Sequence, residues 1–325
     1  MTDVLVLGGT GWLSGRVARE WLARGARVTC LARGGRPAPD GAALVVGDRE
    51  TRDAYAAVAA HEWDEVVDVS SMPSHVAQAA GALGERARHW TYVSSLSVYA
   101  ADDVAGADES AALAEPALPG DAYDYARAKS AAEASVRAAC GDRAAVVRPG
   151  LIVGDGDPTD RFGYWVGRFA LAADGPVLVP GDERRSQVID VDDLARFLVD
   201  RGEKRWHGVA NATGPSAPLS DVLRAARAVA GHTGTVVAAS DADLLAHDVA
   251  YWMGPRSLPL WLPADMPGFA TRSIETYLRE GGQHAPLTET LERALAHERA
   301  LGLERERRAG LTRPDELSII DALGA

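Results

Sequence analysis

The chain has 325 residues, 47% hydrophobic and 25% charged, with a formal net charge of −12. That is ample for a large buried core, and the acidic balance argues against general binding to nucleic acid or to an anionic membrane surface. No apolar run approaches the length of a membrane span, and the N-terminus has neither a basic region nor a cleavage site, so a cytoplasmic protein is expected.

The first half alternates β-rich runs with helical stretches, the pattern of a parallel sheet covered on both faces. Strands are predicted over Asp3–Leu7, Arg27–Leu31, Ala43–Val46, Glu65–Val69, Trp90–Ser94 and Ala145–Val147. Helices are predicted over Leu13–Arg24, Thr51–Ala60, Ser74–Ala87 and Tyr123–Ala139. In the first helix Leu13, Val17 and Trp21 form the apolar stripe, and Gly25 is placed to cap its end. Further on, Phe162–Ala173 reads as a helix, Pro176–Pro180 as a short strand, Val188–Ile189 and Asp192–Arg201 as a return to the sheet, and Gly208–Ala212 as another strand. The remainder reads as mainly helical, with a Trp/Pro-rich loop at Trp252–Pro263, in which Trp252–Arg256 is the best lid candidate, and a charged amphipathic stretch at Glu289–Arg308. The fold class is therefore α/β, a doubly wound, Rossmann-like parallel sheet with a smaller, mostly helical C-terminal substrate lobe. The dinucleotide-binding domain is assigned to 1–160 with 186–212 returning to it, and the lobe to 161–185 and 213–325.

The first strand flows into Gly8-Gly9-Thr10-Gly11-Trp12-Leu13-Ser14-Gly15 and then a helix. A sharp turn at Gly8 and a close backbone approach at Gly11 would bring a pyrophosphate to the helix N-terminus, with Trp12 and Leu13 opening the helix. Ser14 stands where the third glycine of the Gly-x-x-Gly-x-x-Gly spacing belongs, which would alter helix–strand packing. The second strand ends in Ala32-Arg33, with Arg36 three residues on, where an NAD enzyme would carry an acid. Guanidinium there suits the 2′-phosphate of NADP, so NADP(H) is expected over NAD; the competing reading is a solvated arginine in an arginine-rich chain. Asp48 is a candidate for the adenine edge or, alternatively, a cap before Thr51.

Ser94, Ser95 and Ser97 follow the fifth strand, at the edge where open α/β sheets bind ligands. Tyr125 and Lys129 occupy successive turns of one helix face. Lys129 is one of only two lysines beside thirty-two arginines, so a compact ammonium has been kept at this point. A nearby ammonium favours the phenolate of Tyr125 and brings a poor base toward working range, while Ser95 hydrogen-bonds the substrate oxygen. Tyr123 competes on the same helix but lacks a lysine at +4, and Tyr99 reads as structural or as packing near the substrate. Pro149 follows Arg148 at the end of the sixth strand and is a further cofactor contact. Cys30 and Cys140 read as free buried thiols, and the eight histidines show no metal-ligand spacing, so no metal is expected. Trp165, Trp206, Trp252 and Trp261 all follow the sixth strand and read as core packing or as walls around a substrate.

GGTGWLSG, YVSSLSVYA, YARAK and RPGLIVG together resemble the extended short-chain dehydrogenase/reductase superfamily, and more narrowly its NAD(P)-dependent epimerase/dehydratase branch, over residues 1–215. The resemblance implies a catalytic serine four residues before Tyr99, which selects Ser95, with Tyr125 as acid/base and Lys129 on the cofactor ribose. It also implies a small-molecule substrate and a homodimer built through helices flanking the site. Two departures stand out: Arg33 in place of an acid, and Ser186 where nucleotide-sugar enzymes carry an arginine, with Arg184 and Arg185 adjacent. Three functions fit. They are an NADP(H)-dependent oxidoreductase acting at a carbonyl or hydroxyl, a redox-neutral sugar or nucleotide-sugar epimerase or dehydratase that retains its NAD(P), and a non-catalytic cofactor-sensing or RNA-binding relative, which the charge and the intact Ser95/Tyr125/Lys129 set oppose.

Overall fold

A computed structural model of the chain describes residues 1–324. The chain divides into two compact units, one of Met1–Leu151, Val191–Gly214 and Arg272–Gln283, the other of Ile152–Asp190, Pro215–Thr271 and His284–Ala325. The expected boundary at 160 thus moves to 151, the return segment runs 191–214 instead of 186–212, and Arg272–Gln283 leaves the lobe for the first unit. The last shift has a visible cause. The Arg272 guanidinium stacks 4.1 Å from the Tyr99 ring and reaches Asp102 at 2.7 Å, and the Ser273 carbonyl accepts from Asn211 at 3.2 Å.

In the first unit the elements run β1 (Asp3–Leu7), α1 (Trp12–Ala23), β2 (Arg27–Ala32), β3 (Ala43–Val46), β4 (Glu65–Asp68), α2 (Pro73–Leu83), β5 (Trp90–Val93), α3 (Tyr125–Cys140) and β6 (Ala144–Pro149), followed by the helix Val191–Glu203 and the strand Gly208–Ala212. That last strand pairs with β6, and the seven-stranded sheet continues β5, β4, β1, β2, β3, all parallel. The order of successive strands reverses between β1 and β4, the place where doubly wound sheets open a crevice. Leu7 lies opposite Asp68, and Val93 opposite Val147. The residues after β1, β4, β5 and β6 therefore share one edge. Runs such as Val4–Leu7 are buried throughout because helices cover both faces. On one face α2 and α3 close over Leu5, Leu7, Val66, Trp90 and Val146. On the other, α1 packs along the helix Val191–Glu203, joined by Arg16–Asp192 at 2.7 Å and Arg24–Asp200 at 2.8 Å.

Thr51–Ala60 departs from its expected helix and winds as successive turns, with Ala56 N–H on the Asp53 carbonyl and Val58 N–H on the Tyr55 carbonyl. Its register is set by Tyr55, whose hydroxyl accepts from Arg49 and donates to the His75 carbonyl. α2 stops at Leu83, short of Ala87, where Arg143 takes the Gly84 carbonyl at 2.8 Å. Tyr123 falls outside α3, because Asp124 caps that helix by accepting from Arg127 N–H at 2.8 Å.

The second unit is less purely helical than expected. It holds a parallel pair, Val177–Pro180 with Val236–Ala239, and a second, Ala250–Trp252 with Ser257–Pro259, whose second strand falls inside the segment expected to be a loop. Helices Phe162–Ala172, Leu219–Ala230 and Leu287–Leu301 pack on one another. The charged stretch expected as one helix to Arg308 ends at Leu301, where Gly302 takes a positive φ of 93°. Beyond it Arg307 turns back onto the buried Glu298 at 2.7 Å. Cys30 and Cys140 are free and buried. Among the described residues no helix is long and apolar enough to cross a membrane.

Candidate active site

The glycine turn is held by its own hydrogen bonds. Gly8, at φ 76°, donates to the Leu31 carbonyl at 2.8 Å, which ties the turn to β2. Ser14 is buried and works as a latch: its hydroxyl donates to the Gly8 carbonyl at 2.6 Å and accepts from Gly11 N–H at 3.2 Å. A Cβ on Gly11 would lie 2.6 Å from that hydroxyl oxygen, so a side chain there would collide with the latch. The departure from the glycine spacing at Ser14 is therefore a cross-link that closes the turn. Trp12 and Leu13 are the first residues of α1, where amides lack partners inside the helix and favour an anion.

From this turn a cleft of about 830 Å³ runs over the edge of the sheet, lined by Gly8, Thr10, Arg33, Arg36, Asp48, Arg49, Ser70 and His75 among others. Arg33 and Arg36 are exposed on its wall. Asp48 is exposed as well, and its carboxylate accepts from Glu50 N–H at 3.1 Å, a local turn bond that leaves it further acceptor capacity. Pro149 is buried at the end of β6, on the same sheet edge.

Ser94, Ser95 and Ser97 separate by burial. Ser94 lies inside, against Glu133, whereas Ser95 is half-buried and begins the short 3₁₀ turn Leu96–Val98. The Ser95 hydroxyl accepts from Ser97 N–H at 3.1 Å, which orients the oxygen while its own proton stays available to a ligand. Tyr125 opens α3 and is 42% exposed, so its phenol can meet a substrate. One turn below, Lys129 is only 3% exposed. Its ammonium donates to the carbonyls of Ser70 (3.0 Å) and Val93 (2.7 Å) and sits 4.9 Å from the centre of the Tyr92 ring. Two of its three protons are thereby fixed and one remains. Burial pulls the Lys129 pKa down to about 8, against the opposing pull of Asp68 and Glu133.

Reading the sequence did not single out the residues beneath this group. Asp68, fully buried at the end of β4, accepts from both Arg49 nitrogens at 2.8 and 2.6 Å. Glu133 is equally buried and accepts from Arg148 at 2.9 and 2.8 Å. A charged residue closing the apolar run Glu65-Val66-Val67-Asp68 was the available signal. Tyr99 is structural: its hydroxyl lies between Arg148 at 2.9 Å and Asn211 at 2.5 Å. Trp206 lies in the first unit, and its carbonyl accepts from His89 at 2.7 Å, on the stretch leading into the last strand. In the second unit Trp165 and Trp261 are buried, with their indole N–H groups on the Pro259 carbonyl (2.7 Å) and Asp241 (2.9 Å). Trp252 packs edge-on against Phe269. Arg184 binds Asp241 and the Leu262 carbonyl, and Arg185 binds Ser216, so each already has protein partners within that unit.

The strand order, the latched glycine turn and the ligand edge define a Rossmann-like dinucleotide-binding fold. The sequence model of the NAD dependent epimerase/dehydratase family matches residues 4–207; the chain belongs to that family and is an NAD(P)-dependent enzyme. A comparison with curated protein sequences gave no match. Among solved structures, the chain is similar to a Burkholderia cenocepacia J2315 protein described as a candidate epimerase, with a TM-score of 0.71, 22% identity and coverage of 92% of this chain and 98% of that one. It is also similar to the UDP-glucose 4-epimerase of Thermotoga maritima (TM-score 0.68, 15% identity, 92% and 99% covered) and to Bordetella bronchiseptica WbmH in complex with NAD+ (TM-score 0.66, 17% identity, 92% and 99% covered). At these identities the likeness is one of fold.

Proposed function

We propose that the protein is an NADP(H)-dependent oxidoreductase acting at a carbonyl or hydroxyl of a small organic substrate. The observation that carries this reading is the buried Lys129 ammonium one helical turn below the exposed phenol of Tyr125. The turn Gly8–Leu13 suits a pyrophosphate, because it leads directly into the N-terminus of α1. Arg33 and Arg36 suit a 2′-phosphate, and Asp48 an adenine amino group. When bound, the nicotinamide supplies or accepts the hydride. The remaining Lys129 donor suits a ribose hydroxyl. Its charge favours the phenolate of Tyr125, so the phenol can give a proton to the substrate oxygen or take one from it. The Ser95 hydroxyl donates a hydrogen bond to that same oxygen and orients it.

A second reading, a redox-neutral epimerase or dehydratase that keeps its NAD(P), is favoured by the family match and uses the same three residues. The two are separated by denaturing protein purified without added cofactor and identifying the released nucleotide by chromatography. Protein without nucleotide that then oxidises NADPH with one of a panel of aldehydes and ketones supports the oxidoreductase. Near-stoichiometric NAD(P) with no net turnover supports the second reading and overturns the first.

A further inference from the structure

The Lys129 ammonium sits at the end of a relay that begins with the buried carboxylate of Asp68, the last residue of β4. Asp68 Oδ1 accepts from Ser70 N–H at 2.9 Å, and the Ser70 carbonyl accepts from Lys129 Nζ at 3.0 Å and from the Tyr92 hydroxyl at 3.0 Å. One peptide segment therefore transmits the position of Asp68 to the ammonium. On its far side Asp68 is clamped by Arg49, whose guanidinium also reaches the Tyr55 hydroxyl (2.8 Å) and the His75 carbonyl (2.9 Å).

We infer that Asp68 is a positioning residue for Lys129, holding the buried ammonium in place through Ser70 and keeping it cationic. The inference rests on the role proposed for Lys129. Burying an ammonium disfavours its charged form unless a nearby anion offsets the loss of water. Two carboxylates approach it: Glu133 from its own helix and Asp68 from β4. Glu133 is already shared by Arg148 and by Arg137 (2.7 Å), whereas Asp68 carries one guanidinium. The other groups facing this region are the phenol of Tyr92, which burial keeps protonated, the phenol of Tyr125 and the Ser94 hydroxyl. Of these two carboxylates, Asp68 is the one bonded to the segment that carries a Lys129 acceptor, through Ser70. Burial supports the assignment, since Asp68 is fully buried and Lys129 nearly so.

The chain has only two lysines, Lys129 and Lys204, which permits a direct test without substrate. Side-chain NMR of the full-length protein labelled in lysine, with Lys204→Arg to assign the signals, gives the titration midpoint of Lys129. Asp68→Asn is expected to lower that midpoint by about one pH unit or more. Arg49→Gln, which leaves the carboxylate in place, is expected to leave it unchanged or raise it. Should Asp68→Asn fail to fold, the double variant Asp68→Asn/Arg49→Gln replaces the ion pair by a neutral hydrogen-bonding pair and is expected to lower the midpoint too. An equal fall in Asp68→Asn and Arg49→Gln would reveal loosening of the site alone and overturn the inference, as would an unchanged midpoint in the Asp68 variants. If the midpoint moves as stated while Lys129→Met retains full turnover, the relay stands and the proposed function falls.

Discussion

Replacing Lys129 by methionine separates what this residue does for the fold from what it does for the chemistry. Burial lowers its pKa from 10.5 to about 8 in the folded protein. The folded state therefore binds that proton more weakly than the unfolded chain does. The penalty for holding the charge is fully present below pH 8 and disappears as the pH rises through the interval up to 10.5. A shift of this size corresponds to about 3 kcal/mol. Against it stand two hydrogen bonds to the Ser70 and Val93 carbonyls, each worth roughly 1.5–3 kcal/mol for a charged donor. At pH 7 the bonds offset the penalty, and Lys129→Met is expected to change stability by no more than about 3 kcal/mol. Between pH 7 and pH 10, however, the wild type should gain about 2.5 kcal/mol relative to the variant, because only the wild type sheds the buried charge. Urea unfolding of both proteins at the two pH values measures this, and taking the difference cancels every other titrating group. A difference that stays constant to within about 0.5 kcal/mol would refute the buried, proton-binding lysine described here.

Other perturbations test other parts of the account. Tyr125→Phe should lower turnover at least about a hundredfold while leaving NADPH affinity nearly intact, as read from initial rates and a fluorescence titration. His89 is buried with both ring nitrogens on acceptors, Glu65 and the Trp206 carbonyl. Burial lowers its pKa, but the charge and hydrogen bond of Glu65 outweigh this and raise it above 6.5. Its contribution to stability is thus complete below pH 6.5 and lost as the pH rises through the folded value. The stability gap between wild type and His89→Gln should narrow over that rise, and a gap that widened would contradict the pairing. A Cβ on Gly9 would lie 2.4 Å from Cys30 Sγ, so Gly9→Ala should destabilise by about 1–3 kcal/mol in thermal or urea unfolding.

Much of this architecture is legible in the chain itself. Buried parallel strands such as Val4–Leu7 and Ala144–Val147 are continuous apolar runs, and the glycine turn and the Tyr125/Lys129 spacing are local signals. What escapes the sequence is non-local. The Arg49–Asp68 pair joins residues nineteen apart, and the Tyr55 hydroxyl that reshapes Thr51–Ala60 answers to a carbonyl twenty residues on. Arg272–Gln283 belongs to the first unit through bonds to Asp102 and Asn211, which lie far away in the chain. Ser14 shows the reverse case. Its departure from a glycine spacing reads as a packing defect until its two hydrogen bonds place it as the latch of the turn.

The proposed NADP(H) preference of this cleft is decided by calorimetric titration of nucleotide-free protein with NADPH and with NADH. The account expects NADPH to bind at least about tenfold more tightly, and Arg33→Ala to erase most of that preference while changing NADH affinity little. Equal affinity for the two nucleotides in the wild type, or equal losses for both in Arg33→Ala, would contradict it.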